Sequence, residues 1–165
     1  MTAPQRVRAY VGIGANLGDA LAMVHRAFAV LAALPQTEVA ARSSLYRSAP
    51  VDAPGPHFIN AVVALKTGLG ALELLHALQA IETAHGRERP YHHAPRTLDL
   101  DLLLHGKTVL DTAELTLPHP RLHQRIFVLK PLAEIAPRLI IPGVGAVAQH
   151  LVNLANLSKQ QIEVM

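Results

Sequence analysis

The sequence of 165 residues contains no cysteine and no tryptophan, and aromatic side chains make up only 4% of it. The absence of cysteine excludes disulfides and cysteine-ligated zinc, and it fits a reducing compartment. Charged residues are also scarce, at 16%, whereas half of all residues are hydrophobic. A chain with this balance and length can bury a sizeable core, so general disorder is excluded.

Long hydrophobic runs are absent as well. No apolar stretch reaches the roughly 18 residues that a membrane-spanning helix needs. The basic segment 1–8 is not followed by the apolar region of a secretion signal. We therefore expect a cytoplasmic protein that does not bind membranes. Since the sequence has no internal repeat and no low-complexity linker, residues 1–165 are predicted to form a single domain.

Hydrophobic patterning predicts the order strand, helix, strand, strand, helix, strand. The strands are predicted over 7–13, 39–46, 58–65 and 97–104, and the helices over 20–34, capped by Asp19, and 71–85. A short strand near 108–110 and helices near 124–135 and 146–157 follow. This order is that of a ferredoxin-like βαββαβ fold, an α+β fold with an antiparallel sheet and both helices on one face. Because such folds host many activities, function has to be argued from a site.

Apolar residues at steps of three and four predict which side of each helix faces the core. In the first helix they are Leu21, Val24, Phe28, Leu31 and Leu34; in the second they are Leu72, Leu75, Leu78 and Ile81. Pro35 and Gly86 are predicted to end the two helices.

The glycines after the first predicted strand do not complete a nucleotide-binding motif. Gly12 and Gly14 match the start of a dinucleotide fingerprint, but Leu17 stands where the third glycine is required. A P-loop is excluded because no Gly-Lys-Ser/Thr follows. Segment 14–18 is predicted to be a loop. The glycines are interpreted either as backbone clearance beside a sheet edge or a ligand, or as a tight turn.

Segment 95–102, Pro-Arg-Thr-Leu-Asp-Leu-Asp-Leu, is the most informative part of the sequence. On a strand, Asp99 and Asp101 project to the same face with Cα atoms ~7 Å apart. Paired carboxylate oxygens suit Mg²⁺, and two like charges side by side are unfavourable without a cation. The alternative is an exposed polar strand face that binds no metal.

Three arginines, Arg87, Arg89 and Arg96, lie just before this acidic pair. Guanidinium groups match phosphate oxygens, so acids with a metal beside arginines indicate a polyphosphate site. A salt-bridge network, or a solvated face that carries several arginines, is the alternative.

These motifs together resemble one family. The runs 86–89 (Gly-Arg-Glu-Arg), 95–101 (Pro-Arg-Thr-Leu-Asp-Leu-Asp) and 117–119 (Leu-Pro-His) closely resemble the 6-hydroxymethyl-7,8-dihydropterin pyrophosphokinases of the folate pathway. The runs 10–18, 44–48 and 58–61 are also similar, so the resemblance extends from Tyr10 to about Pro142. It implies transfer of pyrophosphate from ATP to the hydroxymethyl group of a reduced pterin, with release of AMP.

The same resemblance implies a set of site residues. Asp99 and Asp101 would bind two Mg²⁺ ions that hold ATP, and Arg87 and Arg96 would be the catalytic arginines. The implied ATP-binding set is Gln79, Glu82, Arg87, Arg89, Arg96, Leu102, Thr116, His119 and Arg125. The pterin would lie between the rings of Phe58 and Phe127. Its polar edge would be read by Ser48, Pro50, Val51 and Asn60.

Plain structural explanations exist for several of these residues. Phe58 and Phe127 could belong to an ordinary core, Gln79 and Glu82 to a solvated helix face, and His119 to a loop without a function. The sequence also departs from the family pattern. His93 stands where Trp is common, Pro120 replaces a Tyr, Glu114 occupies a place where Arg can contact nucleotide, and the 86–95 loop is one residue shorter.

Other functions fit the sequence less well. An RNA-binding module needs paired aromatic residues on its central strands, and only Tyr10 and Phe58 are available. A regulatory small-molecule domain has no reason to cluster acids with arginines. A different metal-dependent nucleotidyl transferase is the nearest enzyme alternative. The expected partners are ATP and the pterin, the expected state is a monomer, and no nucleic acid is expected to bind.

Overall fold

The computed structural model describes residues 5–16, 19–48, 57–85, 98–157 and 162–165. The helices in these ranges are α1 (Ala20–Ala32), α2 (Ala71–Ala84), α3 (Ile126–Ile135) and α4 (Val147–Leu157), with a 3₁₀ turn at Leu122–Gln124. The strands are β1 (Val7–Ala15), β2 (Thr37–Arg42), β3 (Tyr46–Ser48), β4 (Phe58–Thr67), β5 (Asp99–His105), β6 (Leu110–Asp111), β7 (Thr116–Leu117), β8 (Ile140–Ile141), β9 (Gly145–Ala146) and β10 (Ile162–Val164).

The main sheet is antiparallel and has the order β10-β3-β4-β1-β5. β2 also pairs with β4, beyond the residues that pair with β3. The predicted strand 39–46 is thus two strands. Between them the Ser43 N–H donates to the Val62 carbonyl, and the Ser43 hydroxyl accepts from the Val62 N–H, both at 2.9 Å. The Val62 N–H is thus bonded to the Ser43 side chain instead of to a backbone carbonyl, which interrupts the backbone hydrogen bonding to β4 between β2 and β3.

The first face of the sheet packs against α1 and α2. Alternate residues of β1, β4 and β5 point into this core, including Val11, Val63 and Leu100. From α1 the core receives Val24, Phe28 and Leu31, as predicted, but Leu21 in the first turn is 40% exposed. From α2 it receives Leu74, Leu78 and Ile81.

The prediction that Leu72 faces inward is wrong, because it is 43% exposed. The apolar stripe of α2 runs through Leu74, Leu78 and Ile81 at steps of four and three, so its true phase differs from the predicted one. Leu75 packs only at the border of the core.

The second face of the sheet packs against α3 and α4. Tyr10, Val62 and Leu103 from the strands meet Val128, Leu129 and Leu132 of α3 in a separate core. The predicted pair of helices on one face is confirmed for α1 and α2, and the added helices cover the opposite face. β1 is therefore buried on both sides, which single-sided alternation did not predict.

The ends of the helices and strands agree only in part with those predicted from the sequence. Asp19 caps α1 as predicted, since its Oδ1 accepts from the Ala22 N–H at 3.0 Å. The predicted loop 14–18 begins later, because β1 continues through Ala15. β10 has no counterpart among the predicted elements. Gly86 lies outside the described residues. In the described part of the chain, no helix combines the length and the apolar character that crossing a membrane requires.

Candidate active site

One part of the second sheet face is polar, and the strand register assembles it. Gly14 of β1 lies between Asn60 of β4 and Asp99 of β5, and Gly12 lies beside Asp101. Ser48 of β3 lies opposite Phe58 of β4. Because alternate residues of a strand share a face, these side chains occupy one continuous patch across four strands. The two glycines add no side chain of their own to its centre, where the Leu103 side chain approaches Gly12 and the Asn60 side chain approaches Gly14.

Asp99 and Asp101 are half-buried, whereas Leu98, Leu100 and Leu102 between and beside them are buried in the first core. The predicted alternation of this segment is confirmed. Within the described ranges, no group of three or more histidine and acidic residues could hold a metal ion by itself. Two partly exposed, hard carboxylates still fit Mg²⁺, which ordinarily takes its other ligands from phosphate and water.

His119 lies beside this acidic pair. Its backbone N–H donates to the carbonyl of Leu103 at 2.9 Å, which fixes the loop to β5. Its Nδ1 accepts from the Arg121 N–H at 3.2 Å, so the neutral ring carries its proton on Nε2. Burial lowers the pKa of His119, and Arg125 and Arg121 lower it further, while the charge of Asp101 acts in the opposite direction. His119 is therefore not an isolated loop residue.

Glu82, near the end of α2, is only 6% exposed. Its Oε2 accepts from the backbone N–H of Leu100 at 3.0 Å, between the two aspartates. The alternative of a solvated helix face is therefore wrong for Glu82, although Gln79 is exposed. The Leu102 side chain is buried in the first core, so only its backbone can reach a ligand on the other face.

The aromatic and amide residues lie on the other side of the glycines. Asn60 is 5% exposed, and its Nδ2 donates to the Ser48 hydroxyl at 2.9 Å. Phe58 and Phe127 are both half-buried, and Phe127 packs at the border of the second core. The Arg125 guanidinium lies 5.6 Å from the centroid of the Phe127 ring. A group suited to phosphate thus neighbours a ring suited to a flat heterocycle.

Comparison with known proteins identifies the family. Residues 10–137 match the model of 7,8-dihydro-6-hydroxymethylpterin-pyrophosphokinase, HPPK. The chain belongs to the HPPK family. It is 46% identical over 136 residues to the 2-amino-4-hydroxy-6-hydroxymethyldihydropteridine pyrophosphokinase of Pseudomonas aeruginosa, across 82% of this chain and 84% of the relative. It is 45% identical over 144 residues to the enzyme of that name from Synechocystis, and the match covers 87% of this chain and 74% of the relative.

The fold agrees with a solved structure of the same family. The crystal structure of wild-type Plasmodium falciparum HPPK-DHPS superposes with a TM-score of 0.74 over 94% of this chain at 11% identity. This chain spans only 46% of that one, and at this identity the likeness shows the fold alone. The sequence-based prediction of a pterin pyrophosphokinase of folate biosynthesis is confirmed by the family and its relatives.

Some predicted HPPK site residues lie outside the described part of the chain. They are Pro50 and Val51 of the pterin set and Arg87, Arg89 and Arg96 of the ATP set. His93, which stands where Trp is common, also lies outside the described residues. Thr116 lies in β7, and its hydroxyl is 3.4 Å from Asp111 Oδ1. Glu114, which stands where an HPPK can have Arg, pairs with His76 of α2.

Sequence reasoning missed two features of this site. Arg121 acts on His119 through both its N–H and its charge. The signal available for it was the Pro-His-Pro-Arg run at 118–121, just before the 3₁₀ turn. The second feature is Gly14, for which the sequence left two interpretations open, backbone clearance and a tight turn. Its place inside β1 excludes the tight turn, and a Cβ there would lie 3.4 Å from Asn60 Oδ1.

Proposed function

We propose that the polar patch of the second sheet face is where this chain transfers the pyrophosphoryl group of ATP to the pterin hydroxymethyl oxygen, with AMP leaving. One observation carries this assignment. The register places Asp99 and Asn60 on opposite sides of Gly14, so a phosphate chain held by the aspartates would end next to a group that recognises the pterin.

The nucleotide would lie on the β5 side of the patch. Asp99 and Asp101 would hold Mg²⁺, with two ions proposed, and the metal when bound neutralises triphosphate charge. His119, as a neutral Nε2–H donor, and Arg125 would bind phosphate oxygens. Glu82 would act through the strand, because its carboxylate fixes the Leu100 N–H between the aspartates.

Further nucleotide contacts are proposed from the family motifs. Arg87 and Arg96 would stabilise charge that develops during transfer, and Arg89 would add a further phosphate contact. Gln79 and Thr116, together with the backbone of Leu102, would complete the nucleotide site.

The pterin would lie on the β4 side. Phe58 and Phe127 offer ring faces for a flat heterocycle, and the Asn60 amide can both donate to and accept from its polar edge. The hydrogen bond from Asn60 to Ser48 supports this role, because it fixes the amide orientation before substrate arrives. Pro50 and Val51 would add backbone contacts. Gly14 adds no side chain between the two substrates, where a Cβ would lie 3.4 Å from Asn60 Oδ1.

The finer description of the whole chain is also a proposal. The order of β2 or β3, then β4, β1 and β5, interleaves two strand–helix–strand units, which supports the ferredoxin-like description. We propose one monomeric domain over residues 1–165, in the cytoplasm, with ATP and the reduced pterin as its partners.

Product analysis tests this function directly. The protein would be incubated with ATP, Mg²⁺ and 6-hydroxymethyl-7,8-dihydropterin, quenched, and separated by chromatography. We expect AMP and a pyrophosphorylated pterin in equal amounts, and no product without the pterin. ADP as the main nucleotide product would contradict the proposed transfer and indicate ordinary kinase chemistry.

A further inference from the structure

A hydrogen-bond network joins α3 to the start of β3, next to the proposed pterin site. Both carboxylate oxygens of Glu134 accept from the backbone N–H of Ser44, at 3.0 and 2.9 Å. The Ser44 hydroxyl donates to Oε2 at 2.9 Å, and the Tyr46 hydroxyl donates to Oε1 at 2.6 Å. One carboxylate thus holds two residues that are 88 to 90 positions away in the chain.

Each end of this network belongs to an element that carries proposed pterin residues. Phe127 and Glu134 are seven positions apart, so they lie two turns apart on the same side of α3. Tyr46 and Ser48 share a face of β3 and lie opposite Asn60 and Phe58 of β4. The network therefore connects the helix that bears one proposed stacking ring to the strands that bear the other.

We propose that Glu134 and Tyr46 are positioning residues that set the separation of Phe127 from Phe58 and so shape the pterin slot. This inference rests on the proposed pterin site. Neither residue needs to touch substrate. The apolar contacts of Val128, Leu129 and Leu132 hold α3 on the sheet, but such contacts are non-directional. Hydrogen bonds are directional, so those to the Glu134 carboxylate define the rotation of α3 about its axis and its distance from β3.

The charge states of the pair support the assignment. Burial raises the pKa of Tyr46, and the hydrogen bond to Glu134 and its charge raise it further, so the phenol remains a donor. Partial burial raises the pKa of Glu134, but the hydrogen bonds from Tyr46 and Ser44 outweigh it and leave the pKa below its ordinary value. The donor and the acceptor therefore keep their roles at neutral pH.

Steady-state kinetics of Tyr46→Phe, Glu134→Gln and the double variant test the proposal. We expect the KM for pterin to rise about three- to tenfold, which corresponds to the net contribution of one ordinary hydrogen bond, because solvent screens the exposed carboxylate. The KM for ATP should stay within about twofold of the unmodified protein. The effect of the double variant should be smaller than the product of the two single effects, because each single variant already weakens or removes the Tyr46–Glu134 hydrogen bond.

A matched control removes hydrogen bonds at the other end of the same sheet, where the Thr37 hydroxyl donates to the Pro35 carbonyl at 2.8 Å and also pairs with Thr67. The hydroxyls of Thr37 and Thr67 are 2.7 Å apart where β2 meets β4. Thr37→Val should leave both KM values unchanged, even where it lowers the melting temperature as much as Tyr46→Phe does.

Asn60→Ala separates failure of this proposal from failure of the proposed site. A raised pterin KM in Asn60→Ala with a normal value in Tyr46→Phe would overturn the positioning role and leave the site standing. Normal values in both variants would overturn the pterin site and this inference with it. Equal increases in both KM values in Tyr46→Phe would show a network that only stabilises the fold, and would also overturn the proposal.

Discussion

The two faces of the central sheet use the same strands for different purposes. The first face is apolar from β5 through β1 to β4, and α1 and α2 cover it. The second face is divided. Tyr10, Val62 and Leu103 pack under α3 and α4, while Asp99 and Asp101 lie beyond them, half-buried. Along β5, alternate side chains thus point to opposite faces, which separates leucines that stabilise the fold from aspartates suited to bind cations.

The division has a physical basis. An ionised group under a helix loses hydration and needs a hydrogen-bond partner, as Glu82 has in the Leu100 N–H, so unpaired charge is tolerated on a sheet face only where solvent or a ligand reaches it. In the described part of the chain, the first face is covered by α1 and α2, and side chains such as Leu65 and Leu78 are fully buried there. Substitutions on the first face should therefore change stability, and those in the polar patch should change catalysis.

Asp101→Ala should have the largest effect. Loss of one of two carboxylates leaves the triphosphate charge under-neutralised, a defect of several kcal/mol in the transition state, so turnover should fall at least roughly 10³-fold. The melting temperature should change little. Turnover would be measured over a series of Mg²⁺ concentrations, with calorimetry as the check on folding.

Glu38→Gln is the matched control, since Glu38 is an exposed carboxylate on β2 that lies 3.9 Å from the Arg6 guanidinium. It should retain full activity. Near-normal turnover of Asp101→Ala at ordinary Mg²⁺ would show that the acidic pair is a plain polar strand face.

Leu78→Ala should produce the opposite result. This side chain is fully buried between α2 and the sheet, so its truncation should lower the free energy of unfolding by about 2–5 kcal/mol. Below the unfolding transition, kcat and both KM values should match the unmodified enzyme. Denaturant titration and kinetics on one preparation would show this, and a specific loss of ATP affinity would contradict the separation of the two faces.

Local patterns predicted much of the fold, and non-local contacts account for what they missed. The D-x-D alternation and the Asp19 cap each depend on neighbouring residues, so the sequence was enough. The phase of α2 was wrong because Leu72 and Leu74 fit the period equally well until the helix meets the sheet. The burial of Tyr10 depends on α3 and α4, more than 100 residues later.

The candidate site, like the fold, could be predicted from the sequence only in part. Family motifs gave its residues, but the meeting of Asn60, Gly14 and Asp99 follows from strand pairing, which no single segment specifies. The partnership of Tyr46 with Glu134 could not be predicted, because neither residue stands in a motif with the other.

Phe127→Leu should have a smaller effect than either substitution above. A stacked ring contributes about 0.5–1.5 kcal/mol beyond its buried area, so the pterin Kd should rise roughly two- to twelvefold with ATP affinity unchanged. Phe28→Leu is the matched change on the first face, where Arg42 lies 5.1 Å from the ring. It should reduce stability only. Calorimetry would measure the pterin Kd in the presence of a non-reacting ATP analogue, and the Kd of that analogue alone. Equal losses of pterin and ATP affinity would identify Phe127 as a residue of the hydrophobic core.

The smallest expected effect is the pH dependence of the Glu134 contribution to stability. The folded pKa of Glu134 lies below the ordinary value of 4.5, so between the two values the unfolded chain binds more protons. Its stabilisation is therefore complete well above 4.5 and is lost as the pH falls through the folded pKa. Because Glu134 is exposed, screening keeps the contribution under about 1 kcal/mol. Urea unfolding of the unmodified protein and Glu134→Gln should show a constant difference at neutral pH that shrinks in acid. A difference that is unchanged in acid would mean that the carboxylate charge does not strengthen the link between α3 and β3.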